Sequence, residues 1–529
     1  MATIGIAFGN SSTSFATIND GKVDVIANPD GERFIASCLS YNEGDEYHGQ
    51  QALAQIVRNP RNTIVNFRDF IGLPFDKIDP THSQLAAHPI EANGQVGYQI
   101  NGNVLTIDEV VKRHLKQIKD AAEDYLGQDV TGCVITIPTN FAESQKEALI
   151  KNAAAAGLNV LQLINEPSSA LLAHLTQREQ LLEDKIYVVA DFGGIRSDAA
   201  VIAVRGGMLT ILSTAHSTTL GGEQLDKSLI NYFAADFEKK FKADAKKTEK
   251  SLNKLTSATI ITKKTLSNVT TANVSIDSLA DGYDYMASIN RLRFEVTARN
   301  VFSDMVTFVE SVVAKAGLEP LDIESVLLVG GTSNIPKVAS NLATIFSEDI
   351  EIHAPSFDSK LPNPNELNCR GAAIQASLIE SYDKEEISES LTPVVVNAQH
   401  TSKPIGVKDA EGNFITILPR ETAYPIKKTV TFESGADDVY VELYEGERNV
   451  KETVIEADPL SDEEDSEEEE PEIIKEVEYL PGSLLAQVGL KGLGAGKKVD
   501  VIVNINKDGK LEVTARSGDK VEKAAVAQA

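Results

Sequence analysis

The strongest constraint on this chain is a pattern that it uses twice. Ile4-Gly5-Ile6-Ala7-Phe8-Gly9-Asn10-Ser11-Ser12 and Val188-Val189-Ala190-Asp191-Phe192-Gly193-Gly194-Ile195-Arg196 share one plan. Each is an apolar strand, then Phe-Gly and a small polar turn, then a second strand, Phe15 to Ile18 or Ala199 to Val204. Glycine lets backbone N–H groups approach an anion closely, and such a turn presents several donors together. One loop of this kind is a common turn. Two facing loops, one in each half of an α/β unit, point to phosphate binding. Leu220-Gly221-Gly222-Glu223 and Val329-Gly330-Gly331-Thr332-Ser333 also follow strand-like runs. Each alone reads as a plain turn. Together, four small-residue loops suit a nucleotide held in a cleft between two lobes.

Strand-like and helix-like segments alternate as far as about residue 380, which predicts an α/β architecture. Cys133 to Ile137 is a β-branched run ended by Pro138, Ser144 to Ala156 reads as a helix stopped by Gly157, and Val326 to Val329 reads as a buried strand. The character then changes. Pro393, Pro404, Pro419 and Pro425 punctuate short alternating runs, and Val439, Val441 and Leu443 alternate with Tyr440, Glu442 and Tyr444. Val499 to Ile505 and Leu511 to Ala515 flank Asp508-Gly509, a hairpin signal. This second domain reads as all-β. Ser461 to Glu470 carries eight acids in ten positions. It reads as a solvated loop, or as a docking or repulsion element open to phosphorylation at Ser461 or Ser466.

Charge narrows the function classes. Acids outnumber bases 78 to 50, a formal net charge of −28. That opposes non-specific binding to nucleic acid, where phosphate neutralisation supplies most of the affinity. Cys38, Cys133 and Cys369 are far apart and form no C-x-x-C pair, so no disulfide framework or zinc site is expected. No apolar run approaches the roughly 18 residues of a membrane span, and no secretory signal is read at Thr3 to Ile6. A cytoplasmic protein is expected.

Longer motifs carry a resemblance. Asn165-Glu166-Pro167-Ser168-Ser169-Ala170, Leu220-Gly221-Gly222-Glu223, Leu328 to Lys337 and Val441-Glu442-Leu443-Tyr444-Glu445-Gly446-Glu447-Arg448 resemble the 70-kDa heat-shock chaperone family. The resemblance covers nearly the whole chain. Within the family it is most similar to an atypical fungal type, the ribosome-associated complex subunit that pairs with a zuotin-like J-domain protein. It implies an actin/hexokinase-like two-lobed ATPase domain over 1–382, a linker over 383–395, and an all-β sandwich-type substrate-binding-like domain over 396–529. An acidic loop over 458–478 and no helical lid are expected in that second domain.

The resemblance also implies an ATP site. Gly9, Asn10, Ser11, Gly193, Gly194, Arg196, Gly221, Gly222 and Glu223 match its phosphate side. Lys263, Lys264, Ser267, Gly330, Gly331, Thr332 and Asn334 match its adenosine side, with Asn334 in place of an arginine and Ile260 in place of a glutamate. Asp191, Glu166 and Asp198 match acids around Mg²⁺. The departures fall on catalysis. Ala7 replaces an aspartate of the first loop, and the internal repeat makes the same point, because Asp191 stands opposite Ala7. Arg68 replaces the catalytic lysine with a longer, rigid fork. Ile195 is costly if its backbone needs positive φ. Arg196 either grips a γ-phosphate or crowds it out.

A hydrolysis-deficient, ATP-binding subunit is therefore expected. It would hold a J-domain protein stably, reach the ribosome mainly through that partner, and help a second 70-kDa-type chaperone act on nascent polypeptides. A slow but active ATP-dependent chaperone is the alternative reading. A small-molecule kinase of the actin-like superfamily is a third, and the β-domain argues against it.

Overall fold

Both Phe-Gly turns close β-hairpins of the same register. The structure, a computed structural model, describes residues 2–178, 183–380, 399–409, 411–455 and 472–526, together with 382, 383, 385 and 387. In the first lobe, β1 (Ala2–Phe8), β2 (Ser12–Asn19), β3 (Lys22–Val25), β4 (Val130–Ile137) and β5 (Asn159–Asn165) form a sheet in the order β5-β4-β1-β2-β3, with Ile35–Ala36 also paired to β2. In the second, β6 (Lys185–Phe192), β7 (Ser197–Arg205), β8 (Met208–Ser217), β9 (Ser325–Val329) and β10 (Glu351–His353) are ordered β8-β7-β6-β9-β10. Each sheet has an antiparallel three-strand meander followed by two parallel strands. Phe8 pairs with Thr13 and Ala7 with Ser14. Phe192 pairs with Ser197 and Asp191 with Asp198. The same two register positions thus carry Ala7 and Ser14 in one lobe, and two carboxyl groups in the other.

Helices cover the sheets. α1 (Ile107–Leu126) buries Val110, Val111, Leu115 and Ile118. Thr106 caps its start, and Gly127, at φ 64°, ends it. α2 (Glu143–Ala155) is followed by Gly157 at φ 84°, as its sequence predicts. α3 (Glu166–Arg178), α4 (Gly222–Phe241), α5 (Glu249–Asn268) and α6 (Leu367–Ile379) complete the cleft. α6 seats between β1 and α3 at a distance that only glycine permits. A Cβ on Gly5 would collide with the backbone of Ala372 and Ala373, and one on Gly371 with the carbonyl of Ser169.

The remainder is all-β. β11 (Ile405–Lys408), β12 (Phe414–Leu418), β13 (Ile426–Glu433), β14 (Val439–Ile455), β15 (Glu472–Leu490), β16 (Lys498–Ile505), β17 (Leu511–Ser517) and β18 (Lys520–Val526) form two sheets, β12-β11-β14-β15 and β13-β16-β17-β18. Ile405, Leu443, Val501, Val503, Ile505 and Val513 fill the core between them. Most of the expected linker, and Ser461 to Glu470, lie outside the described residues. One expectation needs correction. The acidic loop expected over 458–478 gives way to strand at Glu472, because Lys451, Asn449 and their neighbours pair with Glu476 and Glu478 along β14. Beyond the hairpin read at Leu511 to Ala515 lies a further strand, β18, that no local pattern marks; backbone pairing to β17 defines such an edge strand.

The β-domain docks on the second lobe through charge. Arg205 donates to the carbonyl of Arg420 from Nε (3.1 Å) and Nη2 (3.0 Å). Arg448 bonds Asp322 and Glu319, each at 2.9 Å, and Lys428 lies 3.2 Å from Asp184.

Candidate functional site

The four glycine loops meet. The backbone N–H groups of Gly222 and Glu223 donate to the carbonyls of Gly193 (3.0 Å) and Gly194 (2.7 Å). Thr332 Oγ1 donates to the Gly193 carbonyl at 2.8 Å. The first loop approaches the second at Gly194, where an added Cβ would lie 2.5 Å from Ser11 Oγ. Gly9 and Gly193 serve equivalent purposes. A Cβ on either would strike a carbonyl three residues on, that of Ser12 or, at 2.7 Å, that of Arg196. Gly330 has φ 83°, and a Cβ there would collide with Asp191. The expected strain at Ile195 is absent, since it is not among the positive-φ residues. The turn is closed by the Gly193 N–H to the Arg196 carbonyl, and Ile195 is a buried side chain.

Charge inside the cleft is dense and paired. Arg68 lies on a short turn and is 3% exposed. It donates to Glu166 Oε1 (2.8 Å), to Asp69 Oδ1 from Nε (2.9 Å) and to the Phe8 carbonyl (3.2 Å). Its guanidinium lies over the Phe141 ring. Arg196 grips both oxygens of Asp198, and reaches across the cleft to Asp69 Oδ2 (3.3 Å) and Asn140 Oδ1 (3.1 Å). His216 Nδ1 lies 2.7 Å from Asp198 Oδ1. Asn10 ties the first loop to the same cluster, donating to Asp69 and accepting from the Arg68 N–H.

The carboxyl groups respond differently to this field. Burial works to raise Asp198, but Arg196 and His216 outweigh it and hold it at about 2. Burial works the same way on Asp69, and Arg68 and Arg196 lower it. Among the described residues no cation forms an ion pair with Asp191, although the charge of Arg68 pulls it down. Burial, then Glu166 and Asp198, push it up to about 7, against one hydrogen bond from Asn368 Nδ2 (3.1 Å). Ala7, at the equivalent position of the first lobe, packs beside Ala16, Cys369 and Ala373. The three cysteines are buried, unpaired thiols.

On the other side of the cleft, Lys263 donates to Asp226 (2.6 Å) and the Gly222 carbonyl (3.0 Å). Ser267 bonds back to the Lys263 carbonyl, burial and then Asp30 raise the carboxyl of Glu32 against the pull of Lys264, and half-buried Asn334 donates to the Gly331 carbonyl. Glu223 does more than line a loop. It pairs with His82 Nδ1 of the first lobe at 2.7 Å, while His82 Nε2 bonds the Thr218 carbonyl. Sequence reasoning missed Asp69, Asn140, His216 and His82. Asp69 had one available signal, adjacency to Arg68. The others come from distant segments and carry no local motif.

Small residues from four loops converge here, with the guanidinium groups of Arg68 and Arg196 and the ammonium of Lys263 around them. Such a two-lobed cleft, ringed by four glycine loops and followed by a β-sandwich, is the architecture of the 70-kDa heat-shock chaperones. The family described as Hsp70 protein matches residues 3–456, and the chain belongs to it. The chain is 52% identical to the "Ribosome-associated complex subunit SSZ1" of Saccharomyces cerevisiae over 97% of both chains. It is 43% identical to the "Heat shock protein 70 homolog C57A7.12" of Schizosaccharomyces pombe, covering 98% of this chain and 94% of that one. It is 31% identical to a ribosome-associated molecular chaperone of Eremothecium gossypii, over 97% of this chain and 79% of that one.

Proposed function

We propose that this protein is a nucleotide-holding, hydrolysis-deficient chaperone subunit of a ribosome-associated complex in the cytoplasm, bound stably to a J-domain protein and acting with a second 70-kDa-type chaperone on nascent chains. The ribosome-associated setting rests on its similarity to the yeast subunit along nearly the full length of both. Among the described residues no helix is long and apolar enough to cross a membrane, which is compatible with that setting.

One observation carries the hydrolysis reading: Arg68 and Arg196 are already bonded to Glu166, Asp69 and Asp198. Phosphoryl transfer to water depends on groups that orient the attacking water and on charge placed at the transferring group. Here those carboxylates orient guanidinium groups instead, and Ala7 supplies no oxygen. The nucleotide would lie across the loops of Gly9, Gly193, Gly221 and Gly330, with Lys263, Lys264 and Ser267 on its adenosine side. The −28 charge suits contact with basic partners and leaves ribosomal RNA to the J-domain protein.

The alternative, a slow ATP-dependent chaperone, draws support from the retained cation of Arg68 beside Glu166. Single-turnover hydrolysis, measured beside direct ATP binding on the purified chain, separates the two. ATP binding with hydrolysis no faster than buffer is expected. Turnover comparable to an ordinary Hsp70 protein overturns the proposal.

A further inference from the structure

The cleft suits a polyphosphate better than it suits a divalent cation. Mg²⁺ requires a near-octahedral shell of oxygens, and usually keeps several waters while using one or two carboxylates. In this cleft the acids are otherwise engaged. Both oxygens of Asp198 are held by Arg196, one of them also by His216. Glu166 is held by Arg68, Asp69 by both arginines, and Asp191 by Asn368. Among the described residues, no group of three or more His, Cys, Asp or Glu is arranged to hold a metal ion. The pairing of Ala7 with Ser14 removes from the first lobe the carboxyl pair that Asp191 and Asp198 form in the second. Two guanidinium groups occupy the space among these carboxyl groups.

Those groups can do a metal's electrostatic work. A guanidinium has five N–H donors, and its planar fork matches phosphate oxygens. Arg196 and Arg68 each have four directed at protein acceptors, which leaves one N–H apiece. Their positions are set by partners from both lobes, so they are in place before any ligand arrives.

We propose that this cleft takes a nucleoside polyphosphate as the metal-free anion, with the guanidinium groups of Arg196 and Arg68 in place of a divalent cation. The inference rests on the nucleotide reading above and adds the ionic form of the ligand. Isothermal titration of the full-length chain with ATP, once in excess MgCl2 and once in excess EDTA, tests it. The expected Kd in EDTA equals or betters that in MgCl2, within about threefold. A loss of about tenfold or more in EDTA overturns the inference and leaves the nucleotide reading standing. Binding in neither medium overturns both. A second measurement uses Arg196→Thr. It should lose about tenfold in EDTA, the scale of one charge-assisted hydrogen bond, and less in MgCl2. Undiminished binding by that variant in EDTA also overturns the inference. If Arg196→Thr does not fold by circular dichroism, Arg196→Lys, which keeps the charge and loses the fork, takes its place with the same two outcomes.

Discussion

Arg196 and Asp69 meet at 3.3 Å across the cleft, joining the second glycine turn to the short turn that carries Arg68. Arg196 also holds Asp198, and Asp69 also holds Arg68. Removing either partner strips charge-assisted hydrogen bonds from a cluster whose other members keep part of their pairing, a loss on the order of 2–3 kcal/mol. Arg196→Ala and Asp69→Ala should each lower the unfolding free energy, read by denaturant titration, by that order. The double variant should lose less than the two losses added, because the shared contact is removed only once. Strict additivity would show that the bridge contributes nothing.

His82 and Glu223 make a second bridge between the lobes, and this one titrates. The hydrogen bond to Glu223 raises His82 above 6.5, although burial opposes it. A raised histidine contributes stability that is fully present below its unfolded pKa and is lost as pH rises through the folded one. Glu223 is lowered below 4.5, with burial opposing and His82 dominating among the causes that lower it. Its contribution is present above its unfolded pKa and is lost as pH falls through the folded one. The bridge is therefore complete in mildly acidic solution and weakens above neutrality. His82→Gln should lower thermal stability at pH 6 and make little difference at pH 9. An equal effect at both pH values would refute a titrating bridge.

Asp191 predicts the opposite use of a carboxyl group. Its pKa of about 7 means that folding favours the protonated form. Stability from this group is present below the unfolded value of 3.8 and is lost as pH rises through about 7. Asp191→Asn keeps the shape without the charge. It should flatten the dependence of stability on pH between 4 and 8, with a gain on the order of a few kcal/mol at the alkaline end. Guanidinium melts across that range check it, and a curve parallel to the unsubstituted protein would count against the buried, unpaired carboxyl.

Arg448 holds the long β14–β15 hairpin to the second lobe through Asp322 and Glu319. Arg448→Glu places like charges together. Partial exposure keeps the loss of folding stability near about 1 kcal/mol. The larger effect should be on domain arrangement, read as an increased radius of gyration in small-angle scattering and faster protease cleavage between residues 383 and 398. An unchanged radius would show that Arg205 and Lys428 suffice to hold the domains together.

The two sheets were legible in the residues because their causes are local. Apolar strands, Phe-Gly turns, Pro138 after β4 and Gly157 after α2 act within a few residues of themselves. The repeat also exposed the mismatch of Ala7 with Asp191 before any coordinates, since both occupy one position of one pattern. β18 and the start of β15 were hidden, because lysines and glutamates mask a strand that is defined by backbone pairing with a partner elsewhere in the chain.

The chain alone thus settled which loops carry glycine and that Ala7 stands where the second loop has Asp191. Only the fold decided what Arg68 and Arg196 touch. Asp69, Asn140, Glu166 and Asp198 come from four separate segments, and His82 meets Glu223 from a fifth. Ion pairs act over a few ångströms of space, whatever the separation in sequence. A cleft that local pattern marks for phosphate therefore becomes, on closure of the two lobes, one already lined with paired guanidinium groups.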